Sequence, residues 1–351
     1  MPLVAALDSA DGLRPILGLF EGVCTGAADG YGRMAEKPAM TLLHLGPGFA
    51  NGIANLHNAR RARSPIVNLI GDHATWHVGA DAPLTSDIVS LATPVSGWVR
   101  SVRTAASLAD TTAQAIAAAG RAPGQIATLI IPSDCQWDPA ERHAEAIEPA
   151  ALPTCSSNSV KGAAESIRKG NRVALFLGGT GLRARGLKAA ARIAAKSGCH
   201  LICETFPARL ERGAGMPVLD RLPYFPEQAI EMLKPFDTIV LAGAKRPVAF
   251  FGYPDFPSQL IPEGINTVIL AEPTDDVPAA LEALASEITA PASVATPSTI
   301  ARPERPVGKL NPMTAGAAIA FTMPERSIVM DEAATTGLPF LAASAAAPPH
   351  T

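Results

Sequence analysis

The chain has 351 residues, of which 29 are basic and 32 acidic, so its formal net charge is −3. At roughly 100–200 residues per domain, this length predicts two or three domains. A chain with 48% apolar and 17% charged residues is globular rather than disordered. The near-neutral charge, without a basic run, argues against binding to nucleic acid. Membrane insertion is not expected either, because no apolar run approaches the roughly 20 residues of a membrane span.

The five cysteines are scattered and form no Cys-x-x-Cys pair. This pattern is typical of a reduced, cytoplasmic protein rather than of a disulfide framework or a zinc site. The first residues also lack the charged and then apolar layout of a signal peptide. We therefore expect a cytoplasmic α/β enzyme.

In residues 1–149, short apolar runs alternate with alanine-rich helical patterns. The predicted strands are residues 16–20, 39–44, 66–70 and 127–131. The predicted helices are residues 21–34, 49–60 and 107–119. Strands that alternate with helices indicate a parallel sheet with helices on both faces.

A linker that contains Pro and Ser is predicted at residues 150–160, and a second α/β unit follows over residues 160–290. Its predicted strands are residues 173–177, 200–203, 238–242 and 267–270, and its predicted helices are residues 184–196 and 227–234. After a second linker at about residues 290–307, the chain offers one helix (311–321) and one strand (327–331). These two elements cannot bury their faces alone. We therefore predict an incomplete third domain, and a chain that lacks elements at both ends.

Residues that can carry chemistry follow two predicted strands of the first domain. Glu21 comes directly after the first of them, at the carboxyl edge of the sheet, where α/β proteins bind ligands. His44 ends the next strand and precedes Gly46-Pro47-Gly48, a predicted tight turn in which bare backbone can approach a ligand. By position alone, Glu21 could instead cap a helix, His44 could be a core histidine, and the glycines could form an ordinary turn.

Taken together, three segments resemble the thiamine-diphosphate-dependent enzymes. They are Glu-x6-Ala-Asp-Gly-Tyr-Gly-Arg from Glu21, Gly-Pro-Gly-x2-Asn from Gly46, and Gly-Asp-His from Gly71. The likeness is to the pyrimidine-binding domain of the acetolactate synthase and benzoylformate decarboxylase group, and it covers nearly all of residues 10–135. Residues 160–290 resemble that family's Rossmann-like central domain, and residues 308–351 resemble the beginning of its diphosphate-binding domain. The resemblance thus implies domains at 1–149, 160–290 and 308–351.

The resemblance also implies roles for individual residues. Glu21 matches the glutamate that hydrogen-bonds the cofactor's aminopyrimidine ring and so promotes removal of the proton from the thiazolium C2. The apolar neighbours of Glu21 in the sequence predict a buried carboxyl group, which suits proton exchange near neutral pH. His44 matches an active-site histidine of benzoylformate decarboxylase-like members. The residues that match the turn beside the pyrimidine are Gly46, Pro47, Gly48 and Asn51.

Two further motifs, and one motif that the sequence lacks, concern the binding of metals and cofactors. His73 and His77 have i, i+4 spacing, but they follow a strand and precede Gly79, so we predict no metal site and treat His73 as a secondary catalytic candidate. Residues 178–184 resemble a shortened dinucleotide-binding loop, for which FAD binding and a purely structural turn are alternatives. The family holds Mg²⁺ and the cofactor's diphosphate with a Gly-Asp-Gly motif, which this sequence does not contain.

The expected function is that of a thiamine-diphosphate-dependent enzyme, similar to acetolactate synthase, that forms or breaks carbon–carbon bonds of a 2-keto acid. The alternatives are a decarboxylase like benzoylformate decarboxylase, or a non-catalytic fragment kept for assembly or nucleotide binding. Because the active sites of this family form between subunits, we expect a homo-oligomer (dimer or tetramer), and we expect this chain alone to be inactive.

One helix face is a candidate for association between subunits. Phe49, Ile53 and Leu56 have i, i+4, i+7 spacing and therefore share that face. We predict that part of the face is uncovered and drives association; the alternative is that the face packs only on its own sheet.

Overall fold

The protein is described by a computed structural model, which covers residues 2–7, 9–140, 143–294, 301–333 and 336–351. The chain divides into two compact units, Met1–Leu152 and Pro153–Thr351. Both units are built on parallel sheets, as the alternation of strands and helices predicts.

The first unit contains a four-stranded parallel sheet in the order β1-β2-β4-β3. The strands are β1 (Ala39–His44), β2 (Ile66–Asp72), β3 (Trp98–Ser101) and β4 (Ile126–Pro132). The helices are α1 (Pro2–Leu7), α2 (Glu21–Ala35), α3 (Leu45–Ala62), α4 (Ile88–Ala92), α5 (Ala105–Gly120) and α6 (Asp134–Trp137). Side chains alternate along β2, so that Ile66 and Ile70 join one core cluster and Val67 and Leu69 another. The prediction of helices on both faces of the sheet is confirmed.

The helix face proposed for association is largely internal. Phe49 and Leu56 are fully buried in the core cluster that also contains Ile66 and Ile70, and Ile53 packs against that cluster. Phe49 and Leu56 are therefore not uncovered, whereas Ile53 is only partly buried. Association through this face stays a prediction. The spacing correctly places the three residues on one side of α3, but that side covers its own sheet.

Two predictions at the amino-terminal side of the sheet are wrong. Residues 16–20 are not a strand, because Pro15 offers no N–H group for pairing and the apolar side chains point outward, with Leu17 89% and Leu19 96% exposed. The segment Gly46-Pro47-Gly48 is the first turn of α3 rather than a turn before it. A proline is tolerated there because the first N–H groups of a helix have no intrahelical partner.

The second unit contains a five-stranded parallel sheet in the order β7-β6-β5-β8-β9. The strands are β5 (Val173–Leu177), β6 (His200–Cys203), β7 (Asp220–Arg221), β8 (Thr238–Ala242) and β9 (Asn266–Ala271). The helices are α7 (Ser157–Lys169), α8 (Ala184–Ser197), α9 (Pro226–Leu233), α10 (Val277–Glu287), α11 (Pro312–Thr322) and α12 (Gly337–Ala343). The chain runs outward from β5 to β7 and then returns to β8 on the other side of β5, which is the Rossmann-like order.

The remaining predictions for the second unit have mixed outcomes. Helix α7 begins inside the linker expected at 150–160, because the Ser156 side chain caps it by accepting a hydrogen bond from the Ser159 N–H group. Residues 327–331 form no strand, although Val329 donates one backbone hydrogen bond to Thr351. Residues 295–300 of the second expected linker lie outside the described residues. The assignment of the chain to the family's three domains stays a prediction.

Within the described part of the chain, every helix is too short or too polar to cross a bilayer. This agrees with the composition, which contains no long apolar run.

Candidate active site

The candidate residues of the first unit lie at the carboxyl edge of its sheet. Strand β1 ends at His44 and pairs in parallel with β2, so that His44 is aligned with Gly71. The segments that follow the two strands therefore start side by side, with α3 after β1 and the loop containing His73 after β2. This is the edge at which open α/β sheets bind ligands.

Glu21, Gly48 and Asn51 come together at this edge. Glu21 is the first residue of α2, and its Oε2 accepts a hydrogen bond of 3.3 Å from Asn51 Nδ2. The other carboxylate oxygen, Oε1, lies 3.4 Å from the position that a Cβ on Gly48 would occupy. The Cβ of His44 lies 3.6 Å from the same position. Glu21 and His44 thus both approach Gly48, and Asn51 holds the other oxygen of the Glu21 carboxylate.

Two hydrogen bonds between α2 and α3 hold this arrangement. The Thr25 hydroxyl donates to the Gly52 carbonyl at 3.0 Å, and Asn55 Nδ2 donates to the Gly22 carbonyl at 2.6 Å. Thr25 is fully buried, and a Cβ on Gly52 would lie only 2.8 Å from its methyl group. Thr25 and Asn55 were not predicted from the sequence, although the i, i+4 spacing of Asn55 from Asn51 places both amides on one helix face.

The surroundings of Glu21 differ from the prediction. The expected strand is absent, and the neighbouring apolar side chains Leu19, Phe20 and Val23 are exposed. Glu21 is half-buried rather than enclosed. The structure therefore presents a carboxylate at the surface of this unit, next to exposed apolar groups.

The remaining residues of the glycine segment have different surroundings. A Cβ on Gly46 would lie 2.2 Å from Ser86, so that this glycine permits close packing of α3 on the loop before α4. Pro47 is exposed. Leu45, between β1 and the glycines, has a φ of 54°, a left-handed conformation that costs energy in a residue with a branched side chain. Such strain at a strand end is frequent beside binding sites.

His73 lies at the same edge, in the loop after β2. Its backbone N–H group donates to Asp72 Oδ1 at 2.8 Å, and its ring centroid is 5.6 Å from that of His77. The described contacts of His73 therefore run along its own loop and not to Glu21. The loop is tied to α6 by a hydrogen bond from the Thr75 hydroxyl, which lowers the pKa of Asp134. The described residues contain no group of three or more His, Cys, Asp or Glu side chains placed to hold a metal ion.

In the second unit, the structure favours a structural role for the glycine turn at 178–181. Gly178 packs so closely that a Cβ on it would lie 2.8 Å from the Gly243 carbonyl oxygen. The Gly179 N–H group donates to Glu204 Oε1 at 3.3 Å, and the Ala184 N–H group at the start of α8 donates to Glu211 Oε2 at 2.7 Å. The protein's own carboxylates thus occupy N–H groups that a dinucleotide phosphate would need, and their charge would repel it.

Comparison with known proteins gives the family. The model of the thiamine pyrophosphate enzyme family, N-terminal TPP binding domain, matches residues 1–91. The chain is 49% identical over all 351 residues to a Mycobacterium tuberculosis protein provisionally named acetolactate synthase large subunit IlvX, of which it covers 67%. Over 158 residues, or 45% of this chain, it is 32% identical to benzoylformate decarboxylase of Pseudomonas aeruginosa, of which those residues cover 28%.

A solved structure agrees with these relatives in fold. It is provisionally described as a thiamin diphosphate-dependent enzyme from Mycobacterium smegmatis, and it matches 98% of this chain and 70% of its own with a TM-score of 0.81 at 24% sequence identity. The chain belongs to the thiamine pyrophosphate-dependent enzyme family. It spans about two thirds of the length of the mycobacterial relative IlvX. The predicted family and fold class are confirmed.

Proposed function

We propose that this chain binds the pyrimidine ring of thiamine diphosphate in an enzyme, similar to acetolactate synthase, that forms or breaks carbon–carbon bonds of a 2-keto acid. The observation that carries the proposal is the Glu21 carboxylate, which Asn51 holds by Oε2 while Oε1 faces Gly48. One carboxylate oxygen is thereby oriented, and the other lies beside backbone that carries no side chain. Both features suit a carboxyl group that hydrogen-bonds a nitrogen of the pyrimidine ring.

The residues at this edge fit the pyrimidine ring. A carboxyl group can hydrogen-bond a ring nitrogen in either protonation state. Gly48 lets a flat ring approach the backbone closely, since even a Cβ there would nearly touch Glu21 Oε1. The exposed apolar side chains of Phe20 and Val23 can cover ring surface.

The chain's own contribution to the reaction follows from these positions. When bound, thiamine diphosphate supplies the electron sink that bond making or breaking next to a keto group requires. Glu21 holds or releases a proton at Oε1, and Asn51 keeps the carboxyl group in one orientation. We propose that His44, which is exposed and whose Cβ lies near Gly48, donates a proton to the substrate or binds its carboxylate. His73 stays a secondary candidate, because its described contacts lie along its own loop.

The described residues do not fit a magnesium site. They contain no suitable cluster of ligands, and the sequence has no Gly-Asp-Gly motif. Two adjacent phosphates need a cation or a dense set of donors. We therefore expect this chain to bind thiamine diphosphate with Mg²⁺ only weakly and to turn over neither pyruvate nor benzoylformate. Isothermal titration calorimetry that gave a micromolar Kd would contradict the first expectation, and a steady-state assay that detected product would contradict the second.

A decarboxylase is the second candidate. Its support is His44 in a Leu-His segment like that of the benzoylformate decarboxylases, together with 32% identity to one of them over 158 residues.

Both candidate functions require Glu21 to promote loss of the cofactor's C2 proton, so one experiment tests this shared step. Thiamine diphosphate is incubated in deuterated water, and loss of its C2 proton is followed by NMR with and without the chain. Faster exchange with the chain supports the proposal, and an unchanged rate at saturating cofactor contradicts it.

We also propose that the protein assembles as a homo-oligomer through the exposed segment 16–20. Leu17 and Leu19 are almost fully exposed there, and contiguous apolar surface of this kind marks interfaces. Light scattering over a dilution series should show species larger than one chain, and Leu17→Ser with Leu19→Ser should shift the series toward monomer. Leu310→Ser, which removes an equally exposed leucine in the second unit, is the control. A monomer at every concentration would refute this assembly.

A further inference from the structure

One edge of the sheet in the second unit is open. Strand β9 is the last strand in the order β7-β6-β5-β8-β9, and among the described residues no other segment pairs with its outer side. Proteins usually protect such edges with charged residues, prolines or very short strands. The opposite edge follows this rule, because β7 has only two residues, Asp220 and Arg221, and both are charged. Strand β9 has six residues and contains neither a charged residue nor a proline.

The backbone groups on the open side of β9 belong to Thr267 and Ile269. Asn266 donates its N–H group to the Asp237 carbonyl, on the side of β8, and the two strands run parallel from there. Because backbone groups alternate in direction along a strand, those of Val268 also point toward β8, and those of Thr267 and Ile269 point away from the sheet. The partner that fits two donors and two acceptors at this spacing is another extended chain.

There is room for such a chain on both faces of the edge. On one face, Asn266 and Val268 border an open groove of about 570 Å³ between β9 and α7. Small residues of α7 line this groove, and a Cβ on Gly162 would meet no atom within 4 Å. On the other face, the Ile269 side chain is 48% exposed. An added strand would therefore cover apolar surface without displacing any side chain of α7.

We propose that β9 pairs in antiparallel fashion with β9 of a second copy of this chain. When the two-fold axis passes beside Val268, Thr267 lies opposite the partner's Ile269 and exchanges both N–H···O bonds with it. The symmetric pair does the same, so all four outward backbone groups of each strand are satisfied. Because each strand has only one open side, this interface closes after two copies.

The side chains favour a second copy of the same strand. Val268 faces the partner's Val268 on the side of α7, and Ile269 faces the partner's Thr267 on the other side. Pairs of β-branched side chains stabilise neighbouring strands, whereas like charges directly opposite one another destabilise them. The nearest charged residues in the sequence, Glu263 and Glu272, lie outside the paired residues.

This interface is independent of the segment 16–20, which belongs to the first unit, whereas β9 belongs to the second. It is also independent of Glu21 and of thiamine diphosphate. Failure of the cofactor exchange experiment would therefore leave the pairing of β9 untouched, and failure of the pairing would leave the proposed function untouched.

The test measures the mass of the chain by sedimentation velocity over a dilution series. It uses the variant Leu17→Ser with Leu19→Ser, which removes the other proposed interface. We expect a dimer with a Kd of about 10 µM, as for a small interface. Ile269→Lys in this background should raise the Kd at least about tenfold, because a lysine on an edge strand opposes pairing. A monomer well above the expected Kd, or a dimer that Ile269→Lys leaves intact, would overturn the proposal.

A matched control separates this effect from a general effect of added charge. Ile328→Lys, at an exposed isoleucine of the second unit outside the sheet, should leave the Kd unchanged within about twofold. An equal loss of association in this variant would overturn the assignment of the interface to β9. Both isoleucines are exposed, so the variants should fold, and circular dichroism checks that they do.

Opposite charges test the register of the two strands. Thr267→Glu alone should weaken association, since it places a charge on the edge. An equimolar mixture of the Thr267→Glu and Ile269→Lys variants should associate at least about tenfold more tightly than either variant alone, because the two new charges face each other across the axis. No gain on mixing would overturn the antiparallel pairing about Val268.

Amide hydrogen exchange, followed by NMR in the same background, tests the backbone pairing directly. The amides of Thr267 and Ile269 should exchange at least about tenfold more slowly when the chain is mostly dimeric, and that of Val268, which points toward β8, should change little. Exchange that does not depend on protein concentration would overturn the proposal. Protection of the Thr267 and Ile269 amides in the monomer would also overturn it, because β9 would then be paired within one chain.

Discussion

Replacing Glu21 with Gln should slow the exchange of the C2 proton of bound thiamine diphosphate by about 10²–10⁴-fold, the usual contribution of a positioned acid–base group. The amide keeps the size of the side chain but can neither gain nor lose the proton that the carboxyl group carries. Glu21→Asp should give an intermediate rate, because it keeps the acid but shortens the side chain by one methylene. The measurement is proton NMR in deuterated water at a cofactor concentration that saturates each variant.

A control variant distinguishes this role from helix capping. Glu148→Gln removes an exposed carboxylate elsewhere in the first unit and should leave the exchange rate unchanged. If Glu21 serves only at the amino terminus of α2, its replacement should lower the free energy of unfolding by about 0.3–1 kcal/mol and leave exchange unaffected. That pair of results would remove the main support for the proposed function.

Replacing Phe49 with Ala should lower the free energy of unfolding of the first unit by about 3–5 kcal/mol. Phe49 is fully buried between α3 and the sheet, so the substitution removes a large apolar group and leaves a cavity. All three tryptophans (Trp76, Trp98 and Trp137) belong to this unit, so their fluorescence during urea denaturation reports its unfolding alone.

Matched variants make the result for Phe49 specific. Phe49→Leu retains most of the apolar volume and should cost less than about 1.5 kcal/mol. Ile147→Ala, at an exposed position of the first unit outside segment 16–20, should change the stability by no more than about 0.5 kcal/mol. A small loss of stability for Phe49→Ala, accompanied by dissociation of an oligomer, would instead show that this face of α3 is an interface.

The strands that could be predicted from the sequence are short apolar runs; β5, β6 and β8 lie in the interior of their sheet, and β1 is an edge strand. The bounds of β1, β5, β6 and β8 agree with the prediction residue for residue. Strands in the middle of a parallel sheet are continuous apolar runs, and no other common element of that length has this composition. The short strand β3 was missed because it is an edge strand of four residues, two of them, Arg100 and Ser101, exposed.

The apolar run at 16–20 is a predicted strand that the structure does not contain. Its composition is that of a buried strand, yet the structure gives it no neighbouring strand and leaves its side chains exposed. Burial of an apolar segment lowers the free energy of the folded chain. Whether the segment is buried depends on which other part of the chain packs against it, and the segment's own sequence does not specify that part.

The sequence by itself determined the family and the residues that mark it, because Glu21, the Gly-Pro-Gly segment and Asn51 form local motifs. Only the tertiary structure decided their relation to one another. It shows that Asn51 donates to Glu21, that Gly48 faces the free carboxylate oxygen, and that Gly46 instead packs on Ser86. It also brings into contact aromatic rings of the second unit that are spread over 46 positions, from Phe206 to Phe251. The physical reason is that local patterns specify elements, whereas contacts between side chains far apart in the chain depend on how loops cross the edge of a folded sheet.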